Sequence, residues 1–230
     1  MIDLHTHLLP GVDDGSKSLA ESIAIIERSI NEGVTTIVIT PHIRRTPEWD
    51  RMTEMAESFA SLYSECQSRD FNIELELAAE VLLTPIVPNM IEKHSQVIIN
   101  GACNRYVLVE LPFSQLPLYT DEVLFQIRLQ GIIPILAHPE RYLYLSRQLK
   151  KLEKWIDNGV KLQCNTGSLI GNYGWFIKRF ARKLLKKGYI DFFGSDTHSI
   201  SGKHFPIKDA LRVARKYSKD FKEGNPFTDN

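Results

Sequence analysis

Short apolar runs rich in β-branched residues alternate with longer amphipathic stretches along most of the chain. Most of these runs are apolar at nearly every position, which is typical of parallel strands covered on both faces. The runs predict seven strands, which cover Ile2–Leu4, Val34–Thr40, Ile73–Ala79, Tyr106–Leu111, Ile132–Ala137, Val160–Cys164 and Tyr189–Gly194.

The stretches between these runs repeat their apolar residues at helical spacing, so each predicts an amphipathic helix. Before the first helix, Ser18 and Glu21 form the pattern of a capping box, and Gly33 provides a stop signal. The predicted helices cover Leu19–Glu32, Pro47–Arg69, Asp121–Gln130, Gln148–Asp157, Trp175–Lys187 and Ile207–Phe221. This alternation of strand and helix indicates an α/β fold with a parallel sheet.

Seven strands of this kind can form an open doubly wound sheet or a closed barrel. No Gly-x-Gly-x-x-Gly pattern follows the first strand, which disfavours a dinucleotide-binding fold. No linker, repeat or low-complexity tract divides the chain, so we predict one domain over residues 1–230. A barrel would gather the segments that follow every strand at one rim.

Histidines and carboxylates concentrate at the positions that such a rim would gather. Five of the seven histidines lie at the carboxyl ends of predicted strands: His5, His7, His42, His138 and His198. Four acidic residues lie in the same kind of position: Asp14, Glu80, Glu110 and Asp196. These nine side chains therefore share one site if the strands close into a barrel.

The residue types indicate a catalytic metal site. Imidazole and carboxylate suit Zn, Mn and Fe, and the absence of thiolates argues against a structural zinc site. Nine candidate ligands are too many for one ion, so two or three ions are expected, with a carboxylate such as Glu80 or Asp196 bridging them. Paired ions activate water and clamp a phosphoryl group, which predicts a metal-dependent hydrolase.

Composition narrows the alternatives. Lys and Arg total 28, as do Asp and Glu, which argues against a nucleic-acid partner. The three cysteines form no Cys-x-x-Cys pair and suit a reducing cytosol, and none is followed six residues later by the arginine that a cysteine phosphatase needs. We see no signal peptide and no apolar stretch of membrane-spanning length, so we expect a cytoplasmic protein without membrane insertion.

Several motifs together resemble the polymerase and histidinol phosphatase (PHP) superfamily. They are Asp-x-His-x-His from Asp3 to His7, Thr-Pro-His at His42, Ala-His-Pro-Glu-Arg at 137–141 and Gly-Ser-Asp-Thr-His at 194–198. The opening DLHTHLLPGVDDG, with Glu80, VELP and HPER in order, is similar to the manganese-dependent protein-tyrosine phosphatases of bacterial capsule and exopolysaccharide operons. This resemblance covers essentially the whole chain.

The resemblance implies a distorted seven-stranded (β/α) barrel, similar to a TIM barrel, that holds up to three divalent ions, with Mn²⁺ favoured over Fe and Zn. The implied ligands of the first ion are His5, His7, Glu80 and Asp196. The second ion shares Glu80 and adds Glu110 and His138. The third ion takes Asp14, His42 and His198. Arg141 is expected to bind the substrate phosphate, together with Lys203, which stands where the family has an arginine.

The function implied is hydrolysis of phosphotyrosine on a protein by attack of metal-activated water, with Arg141 and Asp196 as catalytic residues. The expected partner is the tail of a bacterial tyrosine autokinase that regulates polysaccharide synthesis. One alternative is another phosphoesterase of the superfamily, acting on histidinol phosphate or on nucleotides. A second is a metal-binding regulatory module without catalysis.

Overall fold

A computed structural model of the protein describes residues 1–201, 207–218 and 224–228. Within these ranges the chain forms ten strands, and all seven predicted strands are among them. The strands are β1 Ile2–Thr6, β2 Thr36–Ile39, β3 His42–Ile43, β4 Glu74–Leu77, β5 Glu80–Leu82, β6 Ile98–Asn100, β7 Arg105–Glu110, β8 Ile132–Ala137, β9 Lys161–Asn165 and β10 Phe192–Gly194.

The same ranges contain ten α-helices, which largely follow the strands in alternation as predicted. They are α1 Leu19–Asn31, α2 Thr46–Trp49, α3 Met52–Ser68, α4 Val87–Lys93, α5 Thr120–Leu129, α6 Leu143–Arg147, α7 Leu149–Asp157, α8 Thr166–Ile170, α9 Trp175–Lys186 and α10 Ile207–Tyr217. The predicted cap of α1 is present, since the Glu21 backbone N–H donates to Ser18 Oγ at 3.2 Å. Together with the parallel strands, these helices confirm the α/β class.

The prediction of one helix over Pro47–Arg69 was wrong. Arg51 separates α2 from α3, and its ψ of 12° departs from the helical value. Its N–H donates to the carbonyl of Glu48, three residues back, which tightens the turn. The break lets Trp49 and Met52 both enter the core, where they are 2% and 6% exposed.

The strands form two curled sheets, in the orders β1-β2-β4 and β10-β9-β8-β7-β5-β3. All of these neighbours are parallel, and β6 adds to β7 in the antiparallel sense. The sheets meet where the Asp196 N–H donates to the His5 carbonyl at 2.8 Å and the His7 N–H donates to the Thr197 carbonyl at 2.9 Å. The result is the distorted barrel that the resemblance implied.

The distortion comes from breaks after β2 and β4, each followed by a short strand, β3 or β5, that was not predicted. Pro41 separates β2 from β3, because proline has no N–H with which to continue the ladder. A similar break separates β4 from β5. The short strands β3 and β5 then pair with His42 opposite Glu80, which brings two predicted ligands together at the rim.

Apolar side chains fill the barrel below that rim. The interior cluster combines Ile2, Leu4, Val38, Ala78, Ile99, Tyr106, Leu108, Ile135, Ala137 and Phe192. On β7 the interior face runs from Tyr106 through Leu108 to Glu110, because alternate residues of a strand share a face. The interior is therefore apolar at its base and becomes ionisable at the carboxyl ends of the strands. In the described residues, no helix is long and apolar enough to cross a membrane.

Candidate metal centre

All nine predicted ligands converge at the carboxyl-terminal rim of the barrel. Four groups of side chains offer donor atoms that lie within 4.8 Å of one another, and every member is a predicted ligand. The groups are His7–Asp14–His42–His198, His5–Glu80–His138, His5–His7–Asp196 and His42–Glu80–Glu110. The structure therefore places Glu110 closest to His42, whereas the resemblance grouped it with His138.

Glu80 lies at the centre of the cluster and is fully buried. Its Oε2 atom is 3.1 Å from His5 Nε2, 2.9 Å from His42 Nδ1 and 3.4 Å from His7 Nε2, while Oε1 is 2.9 Å from His138 Nε2. Although it is buried, Oε2 accepts no hydrogen bond. A carboxylate oxygen surrounded by imidazole nitrogens without hydrogen bonds fits a ligand that bridges divalent ions.

His5 in β1 and His7 directly after it are oriented by hydrogen bonds to side chains that the sequence analysis did not predict as partners. His5 Nδ1 lies 3.0 Å from Gln163 Oε1, an oxygen that also accepts from the His138 N–H at 3.3 Å. His5 Nδ1 is therefore the donor. His7 Nδ1 donates to Asp13 Oδ2 at 2.7 Å. Both rings consequently present Nε2 to the cluster, as metal-ligating histidines do.

Asp13 was not among the predicted ligands, but its carboxylate has several partners at the site. Its Oδ1 accepts from the Gly15 N–H at 2.9 Å, the kind of turn contact expected of aspartate. Its Oδ2 accepts from His7 Nδ1 and from the His42 N–H at 3.0 Å. The same carboxylate thus fixes a turn and positions two histidines of the cluster.

Asp196 divides its two oxygens between the cluster and its surroundings. Oδ1 lies 3.7 Å from His5 Nε2 and 3.5 Å from His7 Nε2. Oδ2 accepts from Asn165 Nδ2 and from Arg141 Nη1, both at 2.7 Å. Asp196 therefore links the candidate metal ligands to the candidate phosphate-binding arginine.

Arg141 reaches the cluster from the short 3₁₀ turn that follows β8. Its guanidinium lies between the rings of Phe113 and Tyr173, 4.9 Å from each centroid. These cation–π contacts and the bond to Asp196 fix the plane of the guanidinium beside the ligands. The other residue predicted to bind phosphate, Lys203, lies outside the described residues.

In the absence of metal, the buried carboxylates of the cluster pair with protonated histidines. Bound metal ions would take the place of these protons on the imidazole nitrogens. Burial opposes charge on Glu80, but the charge of His5 and the hydrogen bond from His138 lower the pKa of Glu80 well below its usual range. Burial likewise acts against a charged His42, yet Glu110 and Glu80 raise its pKa to about 9. Divalent ions would compete with these imidazole protons for the same nitrogen atoms.

Two rim residues adopt backbone conformations that L-residues other than glycine rarely take. The φ angle is +34° at His138 and +55° at Asp196. Each residue follows a barrel strand and turns its side chain into the cluster. Close packing by Gly194 helps to hold this geometry, since a Cβ there would lie 2.5 Å from the Cβ of His5. Such local strain is typical of functional sites.

One side of the cluster opens into a cavity of about 280 Å³ that Asp14, His42 and Arg44 help to line. Arg44 Nε donates to Glu110 Oε1 at 3.2 Å, and Nη1 lies 3.4 Å from Asp14 Oδ2. The guanidinium also contacts His42 Nε2. Arg44 thus lies among three predicted ligands.

The cysteines offer no competing nucleophile among the buried positions. Cys66 and Cys164 are buried. Burial raises the pKa of the Cys66 thiol to about 11 and that of the Cys164 thiol well above its usual range. Because the thiolate is the reactive form, both groups are poor nucleophiles at neutral pH.

A parallel barrel with histidines and carboxylates clustered at its carboxyl-terminal rim defines the class of barrel metallohydrolases. The chain belongs within this class to the capsular polysaccharide synthesis family CpsB/CapC, whose family model matches residues 1–230.

Two comparisons support this placement, and a third agrees with the fold alone. The tyrosine-protein phosphatase CpsB of Streptococcus pneumoniae is 31% identical over 227 residues, covering 94% of this chain and 91% of its own. A second match is to the solved structures of YwqE from Bacillus subtilis and CpsB from Streptococcus pneumoniae, which are described as metal-dependent tyrosine phosphatases. The matched chain is 29% identical and superposes with a TM-score of 0.85, covering 94% of this chain and 87% of its own. The histidinol phosphate phosphatase of Lactococcus lactis shares the fold at 13% identity, with a TM-score of 0.60 and coverage of 99% and 96%.

Proposed function

We propose that this protein is a metal-dependent tyrosine phosphatase that binds its ions through the nine clustered side chains. The observation that carries the proposal is the Glu80 carboxylate, buried among four imidazoles with one oxygen that lacks a hydrogen bond. Membership in the CpsB/CapC family and the phosphatase names of the relatives support the same function.

The chain's own residues have distinct tasks in this reaction. Bound ions supply a nucleophile from water at neutral pH and offset the charge of the phosphate. Arg141, fixed between two aromatic rings, donates N–H groups to the phosphate oxygens and stabilises charge on the transferring group. Asp196 orients Arg141 through Oδ2, and its carboxylate accepts or relays a proton. The aryl leaving group needs little acid assistance because tyrosine leaves as a phenolate, which is a weaker base than an aliphatic alkoxide.

We propose further that Mn²⁺ fills the site, since its oxygen and imidazole donors suit that ion and the sequence resembles manganese enzymes. The proposed substrate is the phosphorylated tail of a bacterial tyrosine autokinase, which the capsule-synthesis family supports. A cytoplasmic location and a single domain over residues 1–230 complete the proposal. One continuous core that runs from Leu8 to Ala214 supports the single domain.

The decisive experiment combines elemental analysis of the purified protein with assays on a phosphotyrosine peptide, histidinol phosphate and a dinucleotide. We expect two or three ions per chain, loss of peptide hydrolysis in EDTA and recovery on addition of Mn²⁺. Faster hydrolysis of histidinol phosphate or of the dinucleotide than of the peptide would show that the protein is another phosphoesterase of the superfamily. Full activity in EDTA, with no metal bound, would contradict the metal mechanism.

A further inference from the structure

A basic groove runs along the outer wall of the barrel, between α9 and the end of α10. It encloses about 600 Å³ and is lined by Trp175, Lys178, Arg179, Arg182, Lys183, Lys186, Lys187 and Tyr217. Residues 175–187 thus carry six cations and no acidic residue, although the whole chain has no net charge. Among the described residues, only Lys187 of these six lies within 4 Å of a carboxylate oxygen, that of Glu153 at 3.1 Å.

The groove begins beside the proposed phosphate site. Tyr173, which packs on the Arg141 guanidinium at 4.9 Å, is only two residues before Trp175, the first residue that lines the groove. Two residues of chain span at most about 7 Å. From this point α9 extends over twelve residues, which corresponds to about 18 Å. A polypeptide held at Arg141 can therefore continue directly into the groove.

We propose that the groove binds an acidic segment next to the phosphotyrosine of a polypeptide substrate. The proposal rests on the proposed phosphatase function and adds a substrate class to it. An extended chain rises about 3.3 Å per residue, so five or six residues span α9. Aspartates and glutamates in that stretch complement the row of cations, while Trp175 offers an aromatic face.

A polypeptide fits these observations better than a membrane surface does. The cations line a cavity of about 600 Å³, and Arg182 donates to the Leu169 carbonyl at 3.0 Å and to Tyr217 Oη at 2.9 Å. The groove also starts two residues after Tyr173, the residue that contacts Arg141, which links it to the reaction. Complementary charge of this kind chiefly speeds encounter and sets specificity.

The test compares phosphotyrosine peptides that carry a run of five glutamates with matched peptides that carry five glutamines. Each run is placed either before or after the phosphotyrosine. With the metal-loaded enzyme at low salt, we expect kcat/KM to be about tenfold higher for the better glutamate peptide, chiefly through KM. The preference should nearly vanish at about 1 M salt, where the Debye length is about 3 Å. Equal kcat/KM values for all peptides at low salt would overturn the proposal.

The variant Lys183→Gln/Lys186→Gln removes two exposed cations of the groove. Glutamine has nearly the same helix propensity as lysine, so α9 should be preserved. We expect it to lower kcat/KM for the glutamate peptide about fivefold relative to p-nitrophenyl phosphate. The matched control is Lys93→Gln/Arg105→Gln, which removes two exposed cations outside the groove and should keep the full preference. A preference that survives in the groove variant would contradict the proposal.

Two further measurements separate the possible failures. If no phosphotyrosine peptide is hydrolysed with any metal, the phosphatase function fails, and fluorescence anisotropy of a labelled glutamate peptide without phosphate then tests the groove alone. Binding that weakens in the groove variant supports the groove, whereas no binding to the wild-type protein overturns it. Sedimentation with phosphatidylserine vesicles that depends on Lys183 and Lys186, without any peptide preference, would assign the groove to a membrane surface instead.

Discussion

The two sides of the metal centre differ in how the fold supports their ligands. On the deep side, the side chains of His5 and Glu80 are fully buried and that of His138 is 2% exposed. On the open side, the Asp14 side chain is 55% exposed and that of His198 is 32% exposed. The same residue types therefore work in two environments within one cluster.

The two sides differ in how firmly hydrogen bonds hold the ligand side chains in place before an ion binds. On the deep side, Gln163 fixes His5 through a hydrogen bond of 3.0 Å, and Asp13 fixes the fully buried His7, which belongs to groups on both sides, through one of 2.7 Å. On the open side, the Asp14 carboxylate lies 3.4–3.6 Å from Arg44, His42 and His198, and its side chain is 55% exposed. Preorganised ligands lose less entropy when an ion binds, so we expect the deep side to bind ions more tightly.

The largest effect should follow from Glu80→Gln, which breaks the deep side at its centre. The amide has nearly the same volume but cannot bridge two cations. We expect kcat/KM to fall by more than about a thousandfold and at least one ion per chain to be lost, because water activation depends on the paired ions. Kinetics and elemental analysis measure both. Circular dichroism checks the fold, and wild-type metal content with near-normal activity would refute the bridging role.

Asp13→Ala should have the next largest effect. It leaves His7 without its Nδ1 partner, so the ring loses its fixed orientation and the ligand nitrogen loses basicity. Removing such supporting residues typically weakens metal affinity about 10–100-fold, and we expect about 100-fold here. Competition with a metal chelator gives the value.

Asp14→Ala is the matched test on the open side, at the adjacent position. We expect about tenfold weaker binding of a single ion, with the other ions retained, because water can replace an exposed carboxylate. The same chelator competition, followed by elemental analysis, measures this. A larger loss of affinity for Asp14→Ala than for Asp13→Ala would reverse the proposed difference between the two sides.

Arg44→Ala should have the smallest effect and the opposite direction. The guanidinium pairs with Glu110 and Asp14, so it competes with a cation on the open side. We expect about threefold tighter binding of that ion, in keeping with the small energies of exposed ion pairs. Arg45→Ala is the control, because Arg45 is 79% exposed and pairs with Glu48 rather than with a predicted ligand. Weaker metal binding in Arg44→Ala would show that Arg44 supports the site.

Much of the fold and the residues of the candidate site could be predicted because the signals are local. Apolar runs such as Tyr106–Leu111 mark buried strands, and a polar residue at a strand end, such as Glu110, faces the same rim in any parallel barrel. The short strands β3 and β5 were not predicted, because two or three residues form no periodic pattern of their own and the pairing of β3 with β5 defines them.

Neutral supporting residues escaped prediction for a different reason. Gln163 is an unremarkable strand residue until the fold places it beside His5, which is 158 positions away in the chain. Tyr173 likewise acquires its role only by packing on Arg141. Neither residue carries a local pattern, since amide and aromatic groups occur widely in strands and loops for other reasons.

The sequence by itself determined the element order, the identity of the clustered histidines and carboxylates, and the family, because residue type and spacing along the chain are enough for each. Tertiary structure alone decided which ligands share an oxygen of Glu80, which rings are oriented, and which side of the cluster stays open. These depend on contacts between residues far apart in the chain, where a shift of about 1 Å separates a ligand from a bystander.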